Sequence, residues 1–217
     1  MSPAAPPRGK LITIEGGEGA GKTTQANLLV AALARAGIAA RGTREPGGSP
    51  GGEAIRRLLL EGAGEWWDAV SEALLLVAAR REHVIRTIAP ALEQGVWVVC
   101  DRFADSTLAY QGYGRGLPRA ALEQLHRFAL GAFAPDLTVI LDLPVEEGLA
   151  RAAARAGGGD RFERLDRDFH QRLREGFLAI ARAQAARCVV IDATPDVPAV
   201  HRAVLGAVAR RLGVAFG

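Results

Sequence analysis

Lys10-Leu-Ile-Thr-Ile-Glu15-Gly16-Gly17-Glu18-Gly19-Ala20-Gly21-Lys22-Thr23 decides the fold. Residues 10–15 form a short β-rich run. Gly21 to Ala36 then carries Ala26, Leu29, Leu33 and Ala36 at helical spacing, and Gly37 stops it. Between the two lies Gly-x-x-x-x-Gly-Lys-Thr, in the strand-to-helix setting that gives this spacing its physical meaning. Glycines let the backbone curl so that its N–H groups face phosphate oxygens, and the helix N-terminus adds positive potential. Gly16, Gly17, Glu18, Gly19, Ala20 and Gly21 therefore form a candidate triphosphate-binding loop. Lys22 would reach the β and γ phosphates, and the Thr23 hydroxyl would bind magnesium. Of 27 basic residues, Lys10 is the one other lysine, so a lysine in this slot is not a compositional accident.

Three later runs end like residues 10–15, apolar and closed by an acid: Val96-Trp-Val-Val-Cys-Asp101, Leu137-Thr-Val-Ile-Leu-Asp142 and Cys188-Val-Val-Ile-Asp192. Such runs read as strands buried on both faces, and residues 39–43 suggest one more strand. Helices are expected over 53–61, 66–94 (bent near Pro90), 119–132, 145–156, 165–186 and 197–212, with a loop over Arg44-Glu-Pro-Gly-Gly48. Strands alternating with helices imply right-handed parallel crossovers, hence an open, doubly wound α/β sheet with helices on both faces. Ligands of such sheets sit beyond the carboxyl ends of the strands, which is where Glu15, Asp101 and Asp142 fall.

The chain has 217 residues, 49% hydrophobic and 24% charged, the balance of one globular domain. Residues 1–9, small residues and prolines with one Arg, read as a loose tail rather than a secretion signal, and residues 10–217 as one domain. The longest apolar run, Ala73 to Ala79, is far short of the about 20 residues a bilayer requires. Two cysteines, Cys100 and Cys188, each inside a β-like run, exclude a disulfide framework and fit a reducing cytoplasm. The net charge of +3 is carried by arginines scattered along the chain without any like-charge block, which argues against polymeric nucleic acid as a partner. Ras-like GTPases read guanine through Asn-Lys-x-Asp, whereas the single asparagine here, Asn27, lies within the first helix. Transporter and ring ATPases would need a longer chain. A small kinase acting on a small acceptor remains.

The phosphate-loop stretch through Gln25, together with Thr43-Arg-Glu-Pro-Gly-Gly48, Asp101-Arg-Phe103 and Asp105-Ser-Thr-Leu-Ala-Tyr-Gln-Gly112, resembles the bacterial thymidylate kinase family from Leu11 to about Thr194. The resemblance implies a five-stranded parallel sheet of the P-loop NTPase class with a small lid. It also implies ATP and Mg2+, transfer of the γ-phosphoryl to dTMP, and a homodimer.

By that resemblance Arg102 lies on the acceptor phosphate and Asp101 near the magnesium. A fixed guanidinium can also bind a phosphate dianion bidentately, which argues the same role on chemistry alone. A salt bridge at the strand end is the alternative. Glu18 is an odd residue to face polyanions. The family uses this position for the deoxyribose 3′-hydroxyl, whereas a plain reading is an exposed loop acid. Arg56 matches a second arginine for the acceptor phosphate, with Arg57 facing solvent and Arg44 and Glu45 ordering their loop. Arg80, Thr107, Tyr110 and Gln111 match the thymine and sugar readers. Arg80 would bond the O4 edge, Thr107 and Gln111 would lie near N3 and the sugar, and Tyr110 would crowd the 2′ position. The family commonly places Phe four residues before the arginine; this chain has Leu76, which covers the base without stacking.

Phosphoryl transfer spreads charge over equatorial oxygens, and the phosphate loop holds no arginine, so one is expected elsewhere in the chain. Arg151, Arg155 and Arg161 lie on a helix end and a Gly-rich hinge, a candidate lid at about 151–165 that would close over ATP and exclude water. Arg155 is the first candidate for the catalytic arginine and Arg161 the second. The alternative is an exposed helix terminus with an ordinary loop. The four histidines show no ligand spacing. Two competing functions stay open. A deoxynucleoside kinase would leave Arg56 and Arg102 without a phosphate to hold, and a regulatory ATP-binding module would lack an acceptor pocket.

Overall fold

The computed structural model describes residues 7–60, 67–154 and 165–217. Five strands form one sheet: β1 (Leu11–Gly16), β2 (Ala40–Arg44), β3 (Trp97–Asp101), β4 (Leu137–Asp142) and β5 (Cys188–Asp192). All pairings are parallel, in the order β2-β3-β1-β4-β5. The chain leaves β1 in one direction for β3 and β2 and in the other for β4 and β5. The crevice at such a reversal is where this architecture places its ligands.

The apolar runs explain the layering. Every residue of β1 is buried, as are five of the six in β4, because both faces of the sheet are covered by helices. On one face Ile12, Ile14, Val139 and Leu141 pack against Leu29 and Leu33 of α1 (Lys22–Arg35) and Val204 and Val208 of α9 (Val197–Leu212). Each fully buried Leu, Ile or Val contributes about 1.5–3 kcal/mol relative to exposure. On the other face Ile140 packs with Phe169, Leu173 and Phe177 of α8 (Arg167–Ala183). The edge strand β2 is mostly exposed and accordingly lacks the apolar run.

The remaining helices are α2 (Pro50–Leu60), α3 (Ala69–His83), α4 (Ala89–Glu93), α5 (Ala104–Thr107), α6 (Arg119–Leu130) and α7 (Val145–Ala153). Aspartates set three starts: Asp68 accepts from Val70 and Ser71 N, Asp166 from Phe169 N and Asp196 from Ala199 N. The helix expected over 66–94 is described from Ala69 to Glu93. Its irregularity, a π-helical stretch at Val84–Ile88, lies just ahead of Pro90, which has no N–H to offer the preceding turn. Residues 104–114, given no element above, form α5 and a second π-helical stretch, Leu108–Gly114. Their apolar spacing is too short and too broken by Gly112 and Gly114 to read as a helix. No helix among the described residues is long and apolar enough to cross a membrane.

Candidate active site

The loop from β1 to α1 is shaped by its glycines. Gly19 and Gly21 take φ of 69° and 85°, the left-handed region that L side chains avoid. Gly19 also lies against the backbone of α7: a Cβ on it would stand 2.0 Å from Gly148 O, and one on Gly148 would stand 2.5 Å from Glu18 O. Lys22 folds back so that Nζ donates to Gly17 O at 2.6 Å. Burial, then the nearby Arg102, bring its ammonium down to about 8, against the attraction of Glu18, Asp101 and Glu15. The exposed Thr23 Oγ1 donates to Asp101 Oδ2 at 2.5 Å. These two oxygens come from α1 and β3, and a carboxylate beside a hydroxyl is the hard-donor chemistry that suits Mg2+ next to phosphates. Among the described residues no group of three or more His, Cys, Asp or Glu could hold a metal by itself.

Directly after β3, Arg102 has φ 69°, rare for a non-glycine residue, at a cost of order 1–3 kcal/mol. The surroundings hold it there. Arg102 N donates to Ile14 O at 3.0 Å, and Cys100 Sγ donates to Arg102 O at 2.9 Å. The fully buried Glu15 accepts from Phe103 N at 2.7 Å and from Ser106 Oγ at 2.6 Å. Burial, followed by Asp105, pushes the Glu15 carboxyl up to about 8. This turn aims the Arg102 guanidinium back across the phosphate loop. Nη2 donates to Glu18 Oε1 at 2.8 Å and Nη1 to Gly16 O at 3.4 Å, and the cation lies 4.9 Å from the Tyr110 ring centre. Tyr110 donates its hydroxyl to the same Glu18 oxygen. Burial raises the Glu18 carboxyl, but Arg102, Lys22 and Tyr110 more than offset it and bring it to about 2. Lys22 and Arg102 thus contact consecutive carbonyls of one loop.

On the far side of Arg102 opens a cleft with about 570 Å3 of empty space, mouth included. Glu18, Arg56, Leu76, Arg80, Arg102, Thr107, Tyr110 and Gln111 all line it. Arg80, buried, donates to Glu45 Oε2 at 2.7 Å, Thr107 Oγ1 at 2.9 Å and Phe103 O at 3.1 Å, so its direction is fixed by three partners. Arg56 Nη1 donates to Pro46 O at 2.8 Å, whereas Arg57 is exposed. Glu45 also meets His83 Nδ1 at 3.1 Å, and the exposed Arg44 pairs with Glu53, so both order their loop.

The segment expected to form a lid, about 151–165, is described in part. Arg151 on α7 donates to Ala193 O at 3.0 Å and Thr194 O at 3.2 Å, fastening α7 to the loop after β5 beside the phosphate loop. Arg155 and Arg161 lie outside the described residues. Asp142 is held bidentately by Arg174, at 2.7 and 2.9 Å, and the two line a small pocket beside Gly16, Gly17 and Glu18, apart from Arg80 and Gln111. Sequence reasoning missed four residues that shape the site. Ser106 lay inside a quoted motif. Glu15 was placed on the functional edge without a task. Glu72, one and two helical steps before Leu76 and Arg80, could have been found from that spacing. Gly148 carries no local signal, because its reason is a neighbour more than a hundred residues away in sequence.

A phosphate loop opening onto a second, cation-lined cleft at the switch point of a parallel sheet defines a P-loop nucleotide kinase. The family model described as thymidylate kinase matches residues 14–204. The chain is 54% identical to a thymidylate kinase of Nitrobacter hamburgensis, covering 99% of this chain and 96% of that one. It is 53% identical to one of Caulobacter vibrioides, covering 95% and 99%. The crystal structure of thymidylate kinase from Ehrlichia chaffeensis superposes with a TM-score of 0.77 at 36% identity, covering 93% of this chain and all of that one. The chain belongs to the thymidylate kinase family, which transfers the γ-phosphoryl group of ATP to dTMP with Mg2+, giving dTDP and ADP in dTTP synthesis.

Proposed function

We propose that this chain performs the family reaction with ATP on the phosphate loop and dTMP in the cleft lined by Arg80 and Gln111, the two meeting at Arg102. The carrying observation is that cleft: eight residues from the phosphate loop, α2, α3 and the 102–111 stretch face one space, and it adjoins Lys22 through Glu18.

The donor phosphates lie on the backbone of residues 16–21 with Lys22 against them. Thr23 and Asp101 would hold Mg2+, which when bound neutralises phosphate charge. Arg102 and Arg56 take the dTMP phosphate. Glu18 then exchanges its Arg102 partner for the 3′-hydroxyl, Arg80 donates to the thymine O4 edge, and Tyr110 fills the space a 2′-hydroxyl would need. Arg155 and Arg161 belong to a lid at about 151–165 within a single domain over 10–217, anchored at its start by Arg151, with Arg155 the first candidate to meet the transferred group. Closing water out prevents hydrolysis from competing with transfer.

A homodimer completes the reading. Val70 and Leu74 on α3 and Phe128 on α6 are exposed, Phe128 at 91%, on helices that pack against each other. The cysteine use supports a cytoplasmic location, and the charge pattern supports a small-molecule rather than a polymeric nucleic-acid partner.

Arg102→Ala tests the acceptor assignment. It should lower kcat/KM for dTMP about a hundredfold or more, as expected for a buried charge left without its partner, while the MgATP dissociation constant stays as it was. Equal loss of both would assign Arg102 to the fold.

A further inference from the structure

Gln111 is 1% exposed, lines the acceptor cleft and uses one end of its amide. Nε2 donates to Glu72 Oε1 at 2.6 Å. The carbonyl end, Oε1, has no hydrogen-bond partner among the described residues although it is buried. Which end of a glutamine amide points where follows from its partners. Glu72 is wholly buried and stands with Arg115 Nε at 3.6 Å. A carboxylate beside a guanidinium accepts and does not donate, so only the NH2 end of Gln111 can face it. The carbonyl is thereby left directed away from Glu72, an acceptor in want of a donor.

We infer that Glu72, backed by Arg115, is a specificity-determining positioning residue: it locks the Gln111 carbonyl toward the cleft so that the site takes a pyrimidine with a proton on N3. Thymine and uracil carry N3–H. Cytosine has a lone pair at N3 and would meet the carbonyl acceptor to acceptor. Glu72 touches no substrate and acts through Gln111. Its place on α3 supports this, since Glu72, Leu76 and Arg80 follow one another at intervals of four along one helix face, the last two lining the cleft. The inference rests on the reading of this cleft as the dTMP site.

The test is the ratio of kcat/KM for dTMP to that for dCMP, read by ADP release, in the wild type, Glu72→Gln and Gln111→Leu. A glutamine at 72 can both donate and accept, so the Gln111 amide is free to turn. The ratio should fall about tenfold or more in both variants, the worth of one misdirected hydrogen bond. If Gln111→Leu lowers the ratio and Glu72→Gln does not, the cleft reading stands and the role of Glu72 is overturned. If neither lowers it, Gln111 does not read N3 and the inference falls with that reading. A fall of both substrates in parallel in Glu72→Gln marks a structural residue and also overturns it. Should Glu72→Gln not fold, Glu72→Met, uncharged and of similar volume, reads the same ratio; failure of both to fold assigns Glu72 to the core and overturns the inference.

Discussion

The Glu18 carboxylate and the Arg102 guanidinium meet at 2.8 Å across the boundary between the phosphate loop and the cleft proposed for the acceptor. Neither is exposed enough for solvent to screen the pair, their side chains being 7% and 18% accessible. Glu18 is held at about 2 against an ordinary value of 4.5. For an acid with a lowered folded value, the unfolded chain binds the proton first, so the stabilisation is full above pH 4.5 and is lost as the pH falls toward 2. The shift corresponds to about 3 kcal/mol. Denaturant unfolding of the wild type and Glu18→Gln between pH 6 and 2.5 should show the wild type losing an extra increment of that order. Parallel curves would mean that the pair contributes nothing to folding.

Lys22 gives the opposite limb. Its ammonium is lowered from 10.5 to about 8 by burial and then by Arg102. In the free enzyme it therefore loses its proton as the pH rises through about 8, and kcat/KM for ATP should fall above that point. Bound phosphates favour the charged form, so the limb in kcat should lie at higher pH than the limb in kcat/KM. A pH–rate series with dTMP held well below its KM, set against one with both substrates saturating, separates the two. Coincident limbs, or a flat kcat/KM up to pH 10, would contradict the assignment.

The close approach of Gly19 and Gly148 ties α7 to the phosphate loop. A methyl group on Gly148 would stand 2.5 Å from Glu18 O, a backbone atom that cannot swing aside. Gly148→Ala should destabilise the fold by about 1–3 kcal/mol through overpacking and raise KM for ATP by shifting the loop. Thermal unfolding with ATP titration checks this. An unchanged KM would show that the loop moves without consequence for the donor site.

Legibility divides along physical lines. β1, β3, β4 and the phosphate loop could be read from the chain because burial on both faces demands apolar runs and a phosphate cradle demands glycines. α9 could be read to the residue, since Asp196 caps it and Gly213, with φ 71°, ends it. The 104–114 stretch could not, because its helical turns are held by tertiary contacts such as Ser106 to Glu15 rather than by local periodicity. The cleft residues were nameable through family motifs. What supports them was so only in part: Glu45, read as ordering its loop, stands behind Arg80, whereas Glu15 beneath the Arg102 turn and Glu72 behind Gln111 are acids whose partners are distant in sequence. The left-handed backbone at Arg102 was equally hidden, as nothing in Asp101-Arg-Phe103 calls for it.

Leu76 offers a gain rather than a loss. It is half-buried in the wall of the cleft proposed for dTMP, where it can cover a base only by apolar contact. Base–aromatic stacking is worth about 1–3 kcal/mol per base. Leu76→Phe should therefore lower the dTMP dissociation constant about fivefold or more, with kcat changed little because the contact is the same in ground and transition states. Calorimetric titration of dTMP decides it, and weaker binding would show that the ring does not fit between α3 and the cleft.

Phe128 carries the assembly prediction. It stands 91% exposed on α6, and α3, which packs against α6, adds Val70 and Leu74 at 54% and 51%. A Phe side chain buries about 150–250 Å2 when covered, so covering this face is favourable. In the proposed homodimer a second copy of the same chain, bringing its own α3 and α6, would cover this face symmetrically, the commonest form of homo-oligomer. Light scattering at micromolar concentration should give about twice the chain mass for the wild type, and Phe128→Asp should bring it to one chain mass, since each copy would press a carboxylate into the apolar contact. Far-UV circular dichroism of the variant should match the wild type, because the residue supports no contact within its own core. A dimer that persists in Phe128→Asp would put the interface elsewhere on the surface.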